Sequence, residues 1–375
     1  MKPIQMVDLK TQYQKIKPEI DKAVIDVLES SAYINGKPVH EFCANLAQYL
    51  SVKHVIPCAN GTDALQIAMM ALGLEPGDEV ITPSFTYIAT TEVVALLRLK
   101  PVFVEVDAKT FCMDAEALRK AITTKTKAIV PVHLYGQAAN MEEIMKVAGE
   151  HNIAVIEDNA QAIGCDYTFS DGAKKKTGTI GTIGTTSFFP SKNLGGYGDG
   201  GAIFTNDDAL AKKMTMIANH GQSKKYYHDI VGCNSRLDTL QAAILNIKLK
   251  ELDNYIAARR QAADFYDAAF ASDAKITTPV RAHYSNHVFH QYTMLVEGVD
   301  RDALVAHLAS KNIPSMIYYP VPGHKQQMFA SSGIGEYNLA ITDWLTERVI
   351  SLPIHTELEE TQLIYITDSV LEFIK

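Results

Sequence analysis

The sequence predicts an α/β fold, with a mostly parallel central sheet in a large N-terminal part and a smaller α+β part at the C-terminus. Six short apolar runs predict the sheet: residues 79–82 (EVIT), 102–106 (VFVEV), 128–132 (AIVPV), 154–157 (AVIE), 185–189 (TTSFF) and 202–205 (AIFT). Helical patterns such as 114–121 and 141–150 separate several of them, which is the alternation a parallel sheet needs for its crossovers. Beyond residue 247 that alternation ends, and strands mix with helices in no fixed order. The expected division is therefore a large domain, 1–247, and a small domain, 248–375.

Taken in order, Ile16, Ile20, Ala23, Val24 and Val27 are spaced as on one helix face, which predicts an N-terminal helix over 15–30. A second amphipathic helix is expected over 39–50. The run VIPCANGTDALQIAMMALGL then gives a short apolar stretch, a turn at Asn60-Gly61-Thr62, and a helix from Asp63 that stops at Gly73. Its N-terminus offers free N–H groups and the positive end of a dipole, as phosphate sites do. Asn60 or Thr62 acting as a plain helix cap explains the same residues. After residues 234–238, a long amphipathic helix is expected over 237–270, with a bend. Further strands are expected at 291–296 and 315–317, and further helices at 302–311 and 358–373. The hydrophilic stretch 168–178 (TFSDGAKKKTG) reads as an exposed loop with solvated lysines.

Composition narrows the function. The chain has 375 residues, 47% hydrophobic and 21% charged, and carries a net charge of −8. An acidic chain offers no basic field for nucleic acid or anionic lipid, so neither partner is expected. Five cysteines lie far apart without a CxxC pair, which suits buried thiols in a reducing compartment. No apolar leader and no run of 18 apolar residues is present, so the expectation is a cytoplasmic protein. The histidines show no metal-ligand spacing, and none is expected to bind a metal. GxSxG and Walker A sequences are absent.

The chemistry centres on residues 187–201, SFFPSKNLGGYGDGG. A strand ends at Pro190, presents Lys192, and enters a glycine-rich turn. Residues 196–201 match GxGxxG, but a strand rather than a helix follows, which rules out the dinucleotide fingerprint. A lysine whose pKa is lowered attacks carbonyls, including the aldehyde of pyridoxal phosphate. Asp158 ends the run AVIE at the side of the sheet where ligands bind. Alone it could be a cap or a salt-bridge partner. Beside Lys192 it suits the acid that keeps a pyridine nitrogen protonated, the electron sink of that cofactor.

NGTDAL, PSFTYIAT, EDNAQAIG, SFFPSKNLGGYGDGG and GCNSRLDTLQAA follow one another over residues 60–243. Together they closely resemble the DegT/DnrJ/EryC1/StrS family of pyridoxal-phosphate-dependent nucleotide-sugar aminotransferases. The resemblance implies fold type I, like aspartate aminotransferase. It implies that Lys192 is linked covalently to the cofactor and moves the proton, that Asp158 faces the ring nitrogen, and that Gln161 bonds the 3-hydroxyl. Tyr87 and Ala160 would lie against the two ring faces. Gly61, Thr62 and Ser187 would hold the phosphate, joined by Asn234 from a second subunit, so the implied active unit is a homodimer.

The extended match, through FFPSK, YGDGGAIFTND and NSRLDTLQAAIL, resembles family members that transfer an amino group from L-glutamate to C3 of a UDP-linked 3-oxo-N-acetylglucosaminuronic acid for lipopolysaccharide O-antigen. Arg236 would suit the uronate carboxylate. An interface ion pair is the less favoured alternative for Arg236. Tyr318-Tyr319-Pro320 stands where those enzymes have His-Tyr-Pro, and these tyrosines are the remaining candidates for substrate contact. Rival readings are a 4-keto or dTDP-linked acceptor, the sugar 3-dehydrase branch, and a regulator that kept the fold. The dehydrase branch replaces the lysine with histidine, so Lys192 argues against it.

Overall fold

A computed structural model describes residues 2–330 and 335–375. Seven strands form the central sheet in the order His54–Cys58, Gly201–Thr205, Ile183–Ser187, Ala154–Asp158, Thr126–Ile129, Glu79–Pro83, Lys100–Val104. Only Gly201–Thr205 runs against its neighbours; the other adjacent pairs are parallel. The sheet is thus mostly parallel, as its apolar runs require.

The period of two along each strand sends alternate side chains to opposite faces, and both faces are covered. Val80, Ile156, Ile183 and Ile203 meet Leu65, Ala68, Met214 and Ile217, from the helices Gly61–Leu72 and Asp208–Ala218. Their neighbours Ile81, Val155 and Phe204 point the other way. There they join Phe42 and Leu46 of Lys37–Leu50, Ile144 and Val147 of Met141–His151, and Leu245 of Thr239–Lys250. All five residues of Glu79–Pro83 are buried, which is why this strand shows no polar alternation.

A second sheet of three antiparallel strands, Ile276–Thr277, Tyr292–Val296 and Val349–Leu352, has its own apolar cluster. Tyr292, Met294 and Ile350 pack there against Tyr266, Leu304 and Ile366 from three helices, Leu252–Phe270, Arg301–Ser310 and Glu360–Ile374.

Four expectations are corrected. The N-terminal helix begins at Leu9, because the Asp8 carboxylate accepts the Thr11 N–H at 2.9 Å and caps it there. The expected long helix is two, Thr239–Lys250 and Leu252–Phe270, parted at Glu251. Residues 315–317 form no strand; Met316 makes only an isolated bridge to Ser351. The stretch 168–178 lies mostly in a hairpin of Asp166–Thr168 with Lys174–Lys176, where Lys176 bonds the Gly164 carbonyl and the Asp166 carboxylate. Among the described residues, no helix is long and apolar enough to cross a membrane.

Candidate active site

The strand Ile183–Ser187 delivers the chain to the turn that holds Lys192. Backbone bonds close the turn: Phe188 N–H to Gly200 O, Gly196 N–H to Phe188 O, and Lys192 N–H to Phe189 O, at 2.8, 2.8 and 2.9 Å. A Cβ on Gly195 would lie 2.2 Å from the Pro190 carbonyl oxygen, so only glycine permits this closure. Side chains then pin the turn from outside. Asn193 donates to the Val288 carbonyl at 3.0 Å, and Gln241 accepts the Tyr197 N–H at 2.7 Å.

Lys192 projects into a cavity of about 650 Å³, which Asp158 also lines. Burial pushes the lysine down to about 8, and the Asp158 charge pulls the other way. The two groups nevertheless make no direct ion pair among the described residues, so the space between them is open to a ligand. Asp158 is held on its own side of that space. Its carboxylate accepts the Thr90 hydroxyl at 2.8 Å and the Ala160 N–H at 3.1 Å. One residue earlier, Glu157 points away from the cavity and is fully buried. It accepts the N–H groups of Gly178, Ile180 and Gly181 at 2.8, 2.6 and 2.6 Å and pairs with His133 at 2.9 Å, fixing the strand end.

At the cavity edge the helix Gly61–Leu72 begins. Asn60 caps it, its side chain accepting the Asp63 N–H at 2.8 Å and its carbonyl the Ala64 N–H at 3.1 Å. Among the described residues the N–H groups of Gly61 and Thr62 have no acceptor, so the cap leaves them available to an anion. Ser187 completes a cradle: a Cβ on Gly61 would lie 2.7 Å from the Ser187 Cβ. Tyr87, 56% exposed, stands over the opening, with its ring centroid 6.1 Å from that of Tyr319.

The far wall turns on Tyr135, whose backbone takes φ +59°. Its N–H donates to Gln161 Oε1 at 2.7 Å, its carbonyl accepts the Gln291 N–H at 3.2 Å, and its hydroxyl donates to the Tyr318 carbonyl. Gln161 in turn donates to the Tyr319 hydroxyl at 2.9 Å. Burial raises the Tyr319 hydroxyl pKa, against a lowering by this bond from Gln161.

The sequence matches the DegT/DnrJ/EryC1/StrS aminotransferase family over residues 14–371. The chain belongs to this family. It is 46% identical over 372 residues to a protein of Geobacillus stearothermophilus called a pleiotropic regulatory protein, covering 99% of this chain and 98% of that one. It is also 46% identical over 360 residues to the UDP-2-acetamido-2-deoxy-3-oxo-D-glucuronate aminotransferase of Pseudomonas aeruginosa, covering 96% and 97%. Among solved structures, S. venezuelae DesV superposes with a TM-score of 0.95 at 38% identity, covering 100% of this chain and 99% of that one. The fold is thus that of the family's fold type I aminotransferases.

Most of the family residues named from sequence converge on the cavity: Gly61, Thr62, Tyr87, Asp158, Ala160, Gln161, Ser187, Lys192, Tyr318 and Tyr319. Asn234 and Arg236 do not line it. Asn234 is exposed and bridges to Asn219, and Arg236 is half-buried, without a hydrogen bond or ion pair among the described residues. Sequence reasoning missed Thr90, Tyr135, His290 and Gln291. Thr90 closes the quoted PSFTYIAT, three residues after Tyr87, and was within reach; the other three carry no motif.

Proposed function

We propose that the protein is a pyridoxal-phosphate-dependent aminotransferase that takes the amino group of L-glutamate and delivers it to C3 of a UDP-linked 3-keto sugar. The acceptor we favour is UDP-3-oxo-N-acetylglucosaminuronic acid, for lipopolysaccharide O-antigen. The observation that carries the reading is the facing of Lys192 and Asp158 across one cavity with no salt bridge between them, beside an unclaimed helix N-terminus. A flat, cationic, phosphorylated ring fits that donor set. When bound, the cofactor supplies an electron sink for the carbon that gains or loses the amine.

The remaining work belongs to the chain. Lys192, its pKa lowered to about 8 by burial, would hold the cofactor covalently and move the proton at the reacting carbon. Asp158, anchored by Thr90 and the Ala160 N–H, keeps its remaining lone pairs for a ring N–H. Gln161 would meet the 3-hydroxyl, Tyr87 and Ala160 would bracket the ring, and Gly61, Thr62 and Ser187 would hold the phosphate. The name of the P. aeruginosa relative supports the acceptor. Retention of Lys192, Asp158 and Gln161 around one cavity favours catalysis over a purely regulatory role. The reading puts the enzyme in the cytoplasm, in keeping with five free cysteines, and divides the chain into a large domain, 1–247, and a small one, 248–375.

The reading also makes the active unit a homodimer in which Asn234 and Arg236 complete the partner's cavity, with Tyr318 and Tyr319 as the sugar-facing wall. Exposed Tyr226, Tyr227 and Val231, close in sequence to Asn234, suit a covered surface.

Purified protein should change its cofactor absorbance on addition of L-glutamate and recover it with the UDP-3-keto sugar. A Lys192→Ala protein that turned over normally would end the proposal. UDP- and dTDP-linked 3- and 4-keto sugars assayed side by side decide the acceptor. Mixing inactive Lys192→Ala and Arg236→Ala chains should restore about a quarter of full activity, because half of the dimers formed are mixed and each mixed dimer has one intact site. No recovery would count against the shared site.

A further inference from the structure

His290 and Gln291 line the same cavity and have no role in the reading above. Both are more than nine-tenths buried, at 7% and 8% exposure. His290 Nδ1 and Gln291 Oε1 nevertheless have no hydrogen-bond partner among the described residues. Folded proteins leave few such atoms, because a buried polar group without a partner has lost its water for nothing. Two on consecutive residues, both on the wall of a ligand cavity, mark a contact that a ligand completes.

The backbone that carries both side chains is fixed. Arg259 donates to the carbonyls of Phe289 and His290 at 3.3 and 3.2 Å, and the Gln291 N–H is held by Tyr135. Gln291 lines the cavity beside Tyr318, so the pair is continuous with the tyrosine wall.

The charge of the group it would take follows from the surroundings. Burial first, then Lys192 and Arg259, holds the imidazole well below the usual histidine range and therefore neutral. A neutral imidazole and an amide give hydrogen bonds without charge. Among the described residues of this one chain, the rest of the lining sets Asp63, Asp158 and Asp199 against Lys192, and Arg236 from a second subunit is already assigned to the uronate, so a neutral polar group suits this wall better than a carboxylate. We propose that His290 and Gln291 are specificity residues that hydrogen-bond a neutral hydroxyl or acetamido substituent of the keto sugar. This rests on the nucleotide-sugar reading and adds which part of the sugar is recognised, and by what.

The test separates the two half-reactions in His290→Leu and His290→Asn. Amine loading from L-glutamate, followed by cofactor absorbance, involves no sugar; amination of the keto sugar does. In His290→Leu the kcat/KM of the sugar half should fall at least about tenfold further than that of the glutamate half. His290→Asn, which keeps a hydrogen-bonding group near Nδ1, should recover most of that loss. Titration calorimetry with UDP-N-acetylglucosamine needs no turnover and should show a Kd about tenfold weaker in His290→Leu. Equal losses in both halves would overturn the proposal and assign His290 to Lys192 instead. Unchanged sugar kinetics and Kd would overturn it as well. If the leucine variant does not fold, Gln291→Met serves the same comparison. Should the unmodified enzyme aminate no UDP-3-keto sugar, the acceptor assignment fails separately, and the variants are then judged on whichever keto sugar it does accept.

Discussion

Titrating Lys192 probes the site through its own physics. Burial lowers this amine from 10.5 to about 8, a preference for the neutral form of about 3 kcal/mol, trimmed by the part of the side chain that faces the cavity. At pH 7 an ordinary lysine is neutral about 0.03% of the time, whereas one titrating near 8 is neutral about 9% of the time, roughly a 300-fold gain in nucleophile. Because the folded value lies below the unfolded one, the lysine's cost to stability is full below pH 8 and fades as pH rises to 10.5. Cofactor-free protein should gain stability across that window from this residue. The Asp158 carboxylate supports the charged amine, so Asp158→Asn should move the midpoint lower still. The assay is the pH dependence of labelling at Lys192 by trinitrobenzenesulfonate in cofactor-free protein, read by mass spectrometry of the Lys192 peptide. A wild-type midpoint at 10 or above would refute the burial argument. An upward shift in Asp158→Asn would refute the coupling of the two groups.

Two further outcomes follow from packing around the cavity. Gly61→Ala brings a methyl group to 2.7 Å from Ser187 Cβ and should cost about 1–3 kcal/mol in urea denaturation, with weaker cofactor affinity measured on reconstitution. Glu157→Gln places an amide against three N–H donors and His133; it should cost about 2–4 kcal/mol in the same denaturation and lower activity through the adjacent Asp158.

The parts of the fold that were legible in the sequence are those where one physical demand acts alone. Strands buried on both faces must be apolar throughout, and 79–82 or 154–157 can be read by eye. Lys192 and Asp158 were legible because glycines and strand ends mark them. The helix Ala89–Leu96 was not foreseen: its threonines and valines favour strands, and five of its eight residues are buried, so no polar face marks a helical period. The helices Asp208–Ala218 and Ala340–Arg348 and the strand Val349–Leu352 were likewise unmarked in the reading. His290 and Gln291 lie beyond any local signal. Only the fold brings them beside Lys192, almost a hundred residues away.

The cavity wall is assembled from residues scattered between Asn60 and Tyr319. During synthesis the lysine, the acid and the helix N-terminus at Gly61 leave the ribosome long before Tyr318 and Tyr319 that help enclose them. A nascent chain stalled anywhere short of Tyr319 therefore exposes its amine to solvent without a roof. The closed pocket around the lysine is therefore a late event in the life of this polypeptide, after translation has passed that point.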